Sequence, residues 1–220
     1  MPLSTNTPTH ILVIRSGAVG DFVLTTPVIA SLRKAYPRSR ITVVGNPARS
    51  ALANHLIDAI IDFDTTMWSS LFVQEGSPSQ DLKDLLIQTD LIVSYVPDPD
   101  RIFSDNLGRL TSGHVLSQSP HPPQDGSVHI VDHLLGVLQP LQIRTVRQPT
   151  VATQSPPTEN PPHFVLHPGS GGGHKVWPLE RFAKIAEALS ESGEVSGTSG
   201  PADASIVNEL KSQVPSIRAV

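Results

Sequence analysis

Short runs of aliphatic and β-branched residues, each followed by a segment with helical spacing, constrain this chain more than any other feature. Such alternation is the pattern of βαβ units and a mostly parallel sheet. The runs lie at 11–15, 41–45, 59–63, 91–95 and 113–116. Val28, Ile29, Leu32 and Tyr36 fall on one helical face, Leu82, Leu85 and Leu86 fall on another behind Ser79-Gln80-Asp81, and 128–138 reads as a further helix. The expectation is one complete Rossmann-like domain over 1–148, with about five strands and helices on both faces.

Residues 149–162 read PTVATQSPPTENPP, rich in proline and poor in apolar residues, which predicts an extended connector. A second βα unit follows over 163–220: a strand at 164–167, a glycine-rich loop at 169–173 and a helix opening at Pro178, where the missing N–H has no partner to lose. Leu179, Phe182, Ala183, Ala186 and Leu189 make its apolar stripe. The next strand, 194–199, holds one clearly apolar residue in EVSGTS and reads as poor; a helix at 204–214 and a last strand at 217–220 follow. Three strands are few for a parallel sheet buried on both faces, so the second domain is expected to be partial, truncated at its C-terminal side.

Several classes of function are disfavoured. The chain carries 16 basic and 20 acidic residues, net −4, so no global cationic field exists to hold nucleic acid. The absence of cysteine removes disulfides, thiolate metal sites and cysteine nucleophiles. The apolar run after the polar N-terminus, Ile11-Leu12-Val13-Ile14, is too short for a signal-peptide core, and no run approaches the roughly 18 residues of a membrane span, so the expected location is cytoplasmic.

Two segments carry chemistry. RSGAVGD, 15–21, sits at the carboxyl end of the first strand, where ligands bind in open α/β sheets. Gly17 and Gly20 allow close approach to the backbone, and Asp21 is either a carboxylate at the mouth of a cleft or a cap for the helix that follows. The spacing is not the G-x-G-x-x-G of a dinucleotide site, and the second strand ends in Gly45-Asn46 without the acidic residue that holds a ribose, which argues against an NAD-linked oxidoreductase. The second segment, HPGSGGGHKVWP at 167–178, combines four glycines, Ser170, Lys175 and a helix N-terminus. Successive N–H groups, the positive helix end and an ammonium favour a bound anion such as phosphate; the other reading is a flexible surface loop with an exposed lysine.

His167 and His174 lack further ligands at metal spacing, and His129 and His133 lack the Glu of H-E-x-x-H, so no metal is expected. Arg33, Lys34, Arg38 and Arg40 cluster at the end of the first helix, where they either complement its dipole or meet an anionic acceptor or membrane surface.

Together the two segments resemble family 9 glycosyltransferases, the class that includes the bacterial heptosyltransferases. The family pattern of a strand, R-x-x-x-x-G-D and a helix with T-x-P is similar to ILVIRSGAVGDFVLTTPVIASLRKAYP, and its H/N-P-G-rich loop before K-x-W-P is similar to LHPGSGGGHKVWPLERFAKIAEAL. The resemblance implies a GT-B-like α/β fold: a complete N-terminal acceptor-side domain and part of a C-terminal nucleotide-sugar-side domain. It implies inverting, metal-independent transfer of a sugar such as heptose from an ADP-heptose-like donor to a lipid A/core glycolipid, without a cofactor and with room for peripheral contact at the inner membrane. Asp21 would be the general base, and Gly20, Ser170, Gly171 and Lys175 would bind the donor. Gly17 and Ala18 stand where some members have serines, and the family's C-terminal D-S-G-x-x-H segment is absent. A non-catalytic remnant that binds a glycolipid or a protein partner is the alternative.

Overall fold

The computed structural model describes residues 7–152, 162–170, 176–200 and 204–220. The chain divides into two compact units, Met1–Thr153 and Gln154–Val220.

In the first unit five strands, β1 (His10–Ile14), β2 (Arg40–Gly45), β3 (Ala59–Asp62), β4 (Leu91–Ser94) and β5 (His114–Ser117), form a parallel sheet in the order β3-β2-β1-β4-β5. The helices are α1 (Val19–Ala35), the one-turn α2 (Pro47–Ser50), α3 (Gln80–Ile87), α4 (Ile102–Leu110) and α5 (Ile130–Gly136). Because successive strand side chains point to opposite faces, Ile11 and Val13 join a core with α1 and α5. Leu12 and Ile14 join another with α3, α4 and the 3-10 segment Thr66–Phe72. The strand is therefore buried on both faces, as the parallel arrangement requires.

Helix α1 contains Pro27, which has no N–H for the carbonyl of Val23. The Thr26 hydroxyl donates to that carbonyl at 2.8 Å, so the helix continues through the proline. Thr26 Oγ1 also accepts from Thr150 N at 2.9 Å, and Ser31 Oγ accepts from Val146 N at 2.7 Å. With Ala152 N donating to Leu52 O at 2.7 Å, residues 146–152 run along the first unit.

The amino ends of the strands are tied by charge. Arg33 donates to the carbonyls of Leu56 at 2.9 Å and Ser39 at 2.7 Å and to Asp58 Oδ2 at 2.5 Å, and Ile41 N donates to the same Asp58 oxygen at 2.7 Å. Arg33 is thus a structural tie, and the basic cluster lies at the end of the sheet opposite the β1–α1 turn. Asp90 Oδ2 accepts from Thr9 N, Thr9 Oγ1 and His10 N. Partial burial works against both carboxylates, but these bonds and the nearby cations hold them below the usual carboxylate range.

The second unit holds β6 (His163–Leu166), β7 (Glu194–Gly197) and β8 (Arg218–Ala219), parallel in the order β6-β7-β8, with helices α6 (Leu179–Ser190) and α7 (Ala204–Gln213). The strand expected to be poor is the central one. Val195 and Ser196 are buried, and a Cβ on Gly197 would stand 3.1 Å from Val207 Cγ1, so a small residue is what lets α7 pack this closely.

Candidate active site

In the order β3-β2-β1-β4-β5 the chain winds outward from β1 through β2 to β3 and then returns to β4 on the other side of β1. The crevice beyond the carboxyl ends of β1 and β4 is the switch point at which such sheets bind ligands. The turn after β1 carries Arg15, Gly17, Gly20 and Asp21 into it.

Asp21 stands in the first turn of α1. Its Oδ2 accepts from Ala18 N at 2.9 Å, so it does cap the helix. Its Oδ1 lies 3.4 Å from an Arg15 guanidinium nitrogen, and the side chain is still 46% exposed. Capping the helix therefore leaves the carboxylate half-exposed. Gly17 makes the arrangement possible: its φ is +123°, and a Cβ there would stand 2.8 Å from Asp21 Oδ2. Gly20 is different, since a Cβ would meet nothing within 4 Å; it leaves open surface next to the carboxylate.

Arg15 is 5% exposed at its side chain and lies over the Tyr95 ring, 5.9 Å from the centroid. Burial pulls the guanidinium's pKa down, which Asp21 and Tyr95 partly offset. Tyr95 follows β4, donates its hydroxyl to Leu134 O of α5 at 2.6 Å, and has its pKa pushed up by burial. Arg49 of α2 donates to the Gly17 carbonyl and holds the turn from the β2 side. Sequence reasoning assigned no role to Arg15, Arg49 or Tyr95. The Asn46-Pro47 pair was a readable signal for α2, because Asn46 Oδ1 accepts from Arg49 N at 3.3 Å and proline opens the helix.

Further along the same edge of the sheet, a cavity of about 450 Å³ opens at the carboxyl ends of β4 and β5, lined in part by Pro97, Asp98, Arg101, Ser104 and Gln118. Two strand spacings put it about 10 Å from the end of β1. Asp98 accepts from Phe103 N at 3.0 Å and from Ser104 N and Oγ at 2.8 and 2.7 Å, which against the cost of partial burial hold it below the usual carboxylate range.

In the second unit, Ser170 stands half-buried beyond the carboxyl end of β6. His167 Nδ1 lies 3.0 Å from Thr198 O and 3.1 Å from its Oγ1. Ahead of α6, Trp177 packs edge-on to Phe182 at 5.3 Å with Arg181 over its ring at 5.7 Å. Gly171, His174 and Lys175 lie outside the described residues. Among the described residues no cluster of His, Asp and Glu could hold a metal, and no helix is long and apolar enough to cross a membrane. His129 instead caps α5 through Val131 N at 3.2 Å, and His133 Nε2 lies 2.8 Å from Ser119 O.

No protein-family model and no curated protein matches the chain. Among solved structures, it is similar over 100% of its length to the glycosyl transferase family 9 from Veillonella parvula DSM 2008, covering 70% of that chain with a TM-score of 0.69 at 21% identity. It is similar over 96% of its length to E. coli heptosyltransferase WaaC with ADP-2-deoxy-2-fluoro heptose, covering 76% of that chain, with a TM-score of 0.66 at 13% identity. It covers 72% of E. coli ADP-heptose lps heptosyltransferase II, again over 96% of its own length, with a TM-score of 0.66 at 16% identity. At these identities the likeness establishes the fold: the chain has the GT-B-like α/β architecture of these glycosyltransferases.

Proposed function

We propose that this chain is a glycosyltransferase that moves a sugar from a nucleotide-diphosphate donor to a glycolipid acceptor, with Asp21 as general base. The observation that carries the reading is the position of Asp21: a half-exposed carboxylate at the switch point of the first sheet, fixed by the Ala18 N–H and facing Arg15. The acceptor hydroxyl loses its proton to Asp21 as its oxygen attacks the anomeric carbon; the bond from that carbon to the diphosphate breaks, which inverts the centre. A positioned base contributes about 10²–10⁴-fold. The first domain, residues 1–148, takes the acceptor; the cavity at the carboxyl ends of β4 and β5 offers it apolar walls at Val96, Pro97 and Pro99 with polar groups at Ser104 and Gln118.

The second domain, residues 163–220, takes the donor. Ser170, the Gly171 N–H and Lys175 balance the charge that develops on the departing diphosphate, and Gly20 leaves the sugar room beside the base. Structures of the same fold are described with ADP and with ADP-2-deoxy-2-fluoro heptose, which supports an ADP-heptose-like donor. Another is described as an ADP-heptose lps heptosyltransferase, and a lipid A/core acceptor, met at the cytoplasmic face of the inner membrane, is the acceptor proposed to go with that donor. With the lysine in this role the reaction needs no metal, so EDTA leaves the rate unchanged.

The test is Asp21→Asn, which keeps an oxygen for the Ala18 N–H and removes the base. Turnover of ADP-heptose with a lipid A/core acceptor falls about 10²–10⁴-fold while ADP affinity stays the same. Unchanged turnover removes Asp21 from this role, and acceptor binding without any ADP affinity replaces the enzyme with a binding protein.

A further inference from the structure

The glycosyl-transfer reading gives Asp21 a task but does not explain the buried cation behind it. A guanidinium taken out of water costs several kcal/mol unless its groups are paired. Arg15 is 5% exposed, yet among the described residues its Nε is buried without a hydrogen-bond partner and its ion pair with Asp21 is 3.4 Å long. Such a residue is a poor stabiliser of the fold. Its surroundings nevertheless fix it: the Tyr95 ring lies against it, Tyr95 is itself tied to α5 through Leu134 O, and its own N–H donates to Val44 O at 2.9 Å. The carboxylate it faces is gripped from the other side by the Ala18 N–H, and Gly17 leaves Oδ2 the space it occupies.

We infer that Arg15 is a positioning residue for Asp21: its guanidinium holds one carboxylate oxygen while the Ala18 N–H holds the other, so the base meets the acceptor in one orientation. The inference rests on the proposed role of Asp21 and adds to it a residue that touches neither substrate.

The experiment compares Arg15→Met, Arg15→Lys and Arg33→Met in the full chain. Arg33 is a second arginine paired with an aspartate, at the opposite end of the sheet, and controls for lost stability alone. Arg15→Met lowers kcat on the order of 10²-fold, the loss expected when a reacting group is misplaced by about 1 Å, and leaves the KM for ADP-heptose unchanged. Arg15→Lys keeps the charge and restores part of kcat. Arg33→Met lowers the melting temperature and leaves kcat alone. A readout that needs no turnover is the hydrogen exchange of the Ala18 amide, whose protection falls about tenfold in Arg15→Met as its charged acceptor is released, while amides of β1 keep theirs.

A folded Arg15→Met protein with unchanged kcat and unchanged Ala18 protection overturns the inference, even if Asp21→Asn is inactive. If Arg15→Met fails to fold, Arg15→Lys decides on the same two readouts: reduced kcat and Ala18 protection support positioning, and wild-type values for both overturn it. Loss of Ala18 protection in a chain whose wild type transfers no sugar leaves the positioning intact and defeats the glycosyl-transfer reading instead.

Discussion

Strands β1 and β6 read almost alike, HILVI and HFVL, and each is followed in sequence by glycines and then a helix, yet they occupy different environments. β1 lies between β2 and β4, and its four aliphatic residues have no exposure. β6 pairs with β7 alone among the described strands; Phe164 and Leu166 face the core of the second unit, while Val165 is 58% exposed. An apolar strand therefore reports that burial is available on some face and says nothing about how many. That is decided by whether helices lie on one side of the sheet or both. The connections also differ in length. After β1 a few residues place one carboxylate between fixed partners, whereas the path from β6 to α6 is long and reaches its helix through Trp177 and Pro178.

The largest effect expected from this contrast is on the first sheet. Leu12→Ala empties space between β1 and the helices α3 and α4, and costs about 2–5 kcal/mol. Urea unfolding in a Trp177→Phe background reads it cleanly, because the remaining tryptophan, Trp68, lies in the same core as Leu12. A loss no larger than that of a surface change would show that the two faces of β1 are not equally closed.

A smaller effect separates the units by pH. Asp58 and Asp90 tie strand ends of the first sheet and have folded pKa values below their unfolded ones. Their contribution is therefore present above the unfolded value of about 3.9 and lost as pH falls through the folded one. Denaturation midpoints measured from pH 5 downward fall less steeply for Asp58→Asn than for the wild type, since one of the two titrating ties is gone. Parallel curves would place the acid sensitivity elsewhere.

The smallest effect is expected at Val165→Thr, which changes a side chain facing solvent in β6 and moves stability by no more than about 0.5 kcal/mol. A larger loss, read by Trp177 fluorescence in a Trp68→Phe background, would mean that this face is covered in solution and that β6 is closer to β1 than it looks.

Much of the architecture was legible. The runs at 11–15, 41–45, 59–63 and 91–95 match β1 to β4 within a residue or two, because a strand buried on both faces must be apolar throughout. Helix α4 was not legible. It buries only Phe103, Asn106 and Leu107, it starts after Arg101 in a left-handed conformation, and its capping carboxylate, Asp98, lies several residues upstream. β7 was underrated because its quality comes from fit: Gly197 looks like a breaker in sequence and is a site of close approach in the structure. At the site, the motif 15–21 pointed to Asp21, but Tyr95 and Arg49 are 74 and 28 residues further along the chain, counting 95 − 21 and 49 − 21, and no local pattern joins them to it.

By itself the sequence determined the βα alternation and the glycine-bearing turn after β1, since each depends on short-range periodicity or on the backbone freedom of glycine. Only the tertiary structure decided that the order β3-β2-β1-β4-β5 puts Asp21 at a switch point, that Arg15 is buried behind it, and that the basic cluster at the end of α1 faces away. Those outcomes depend on which strands become neighbours, and strand neighbours are chosen by burial across the whole sheet, which no segment of the chain carries alone.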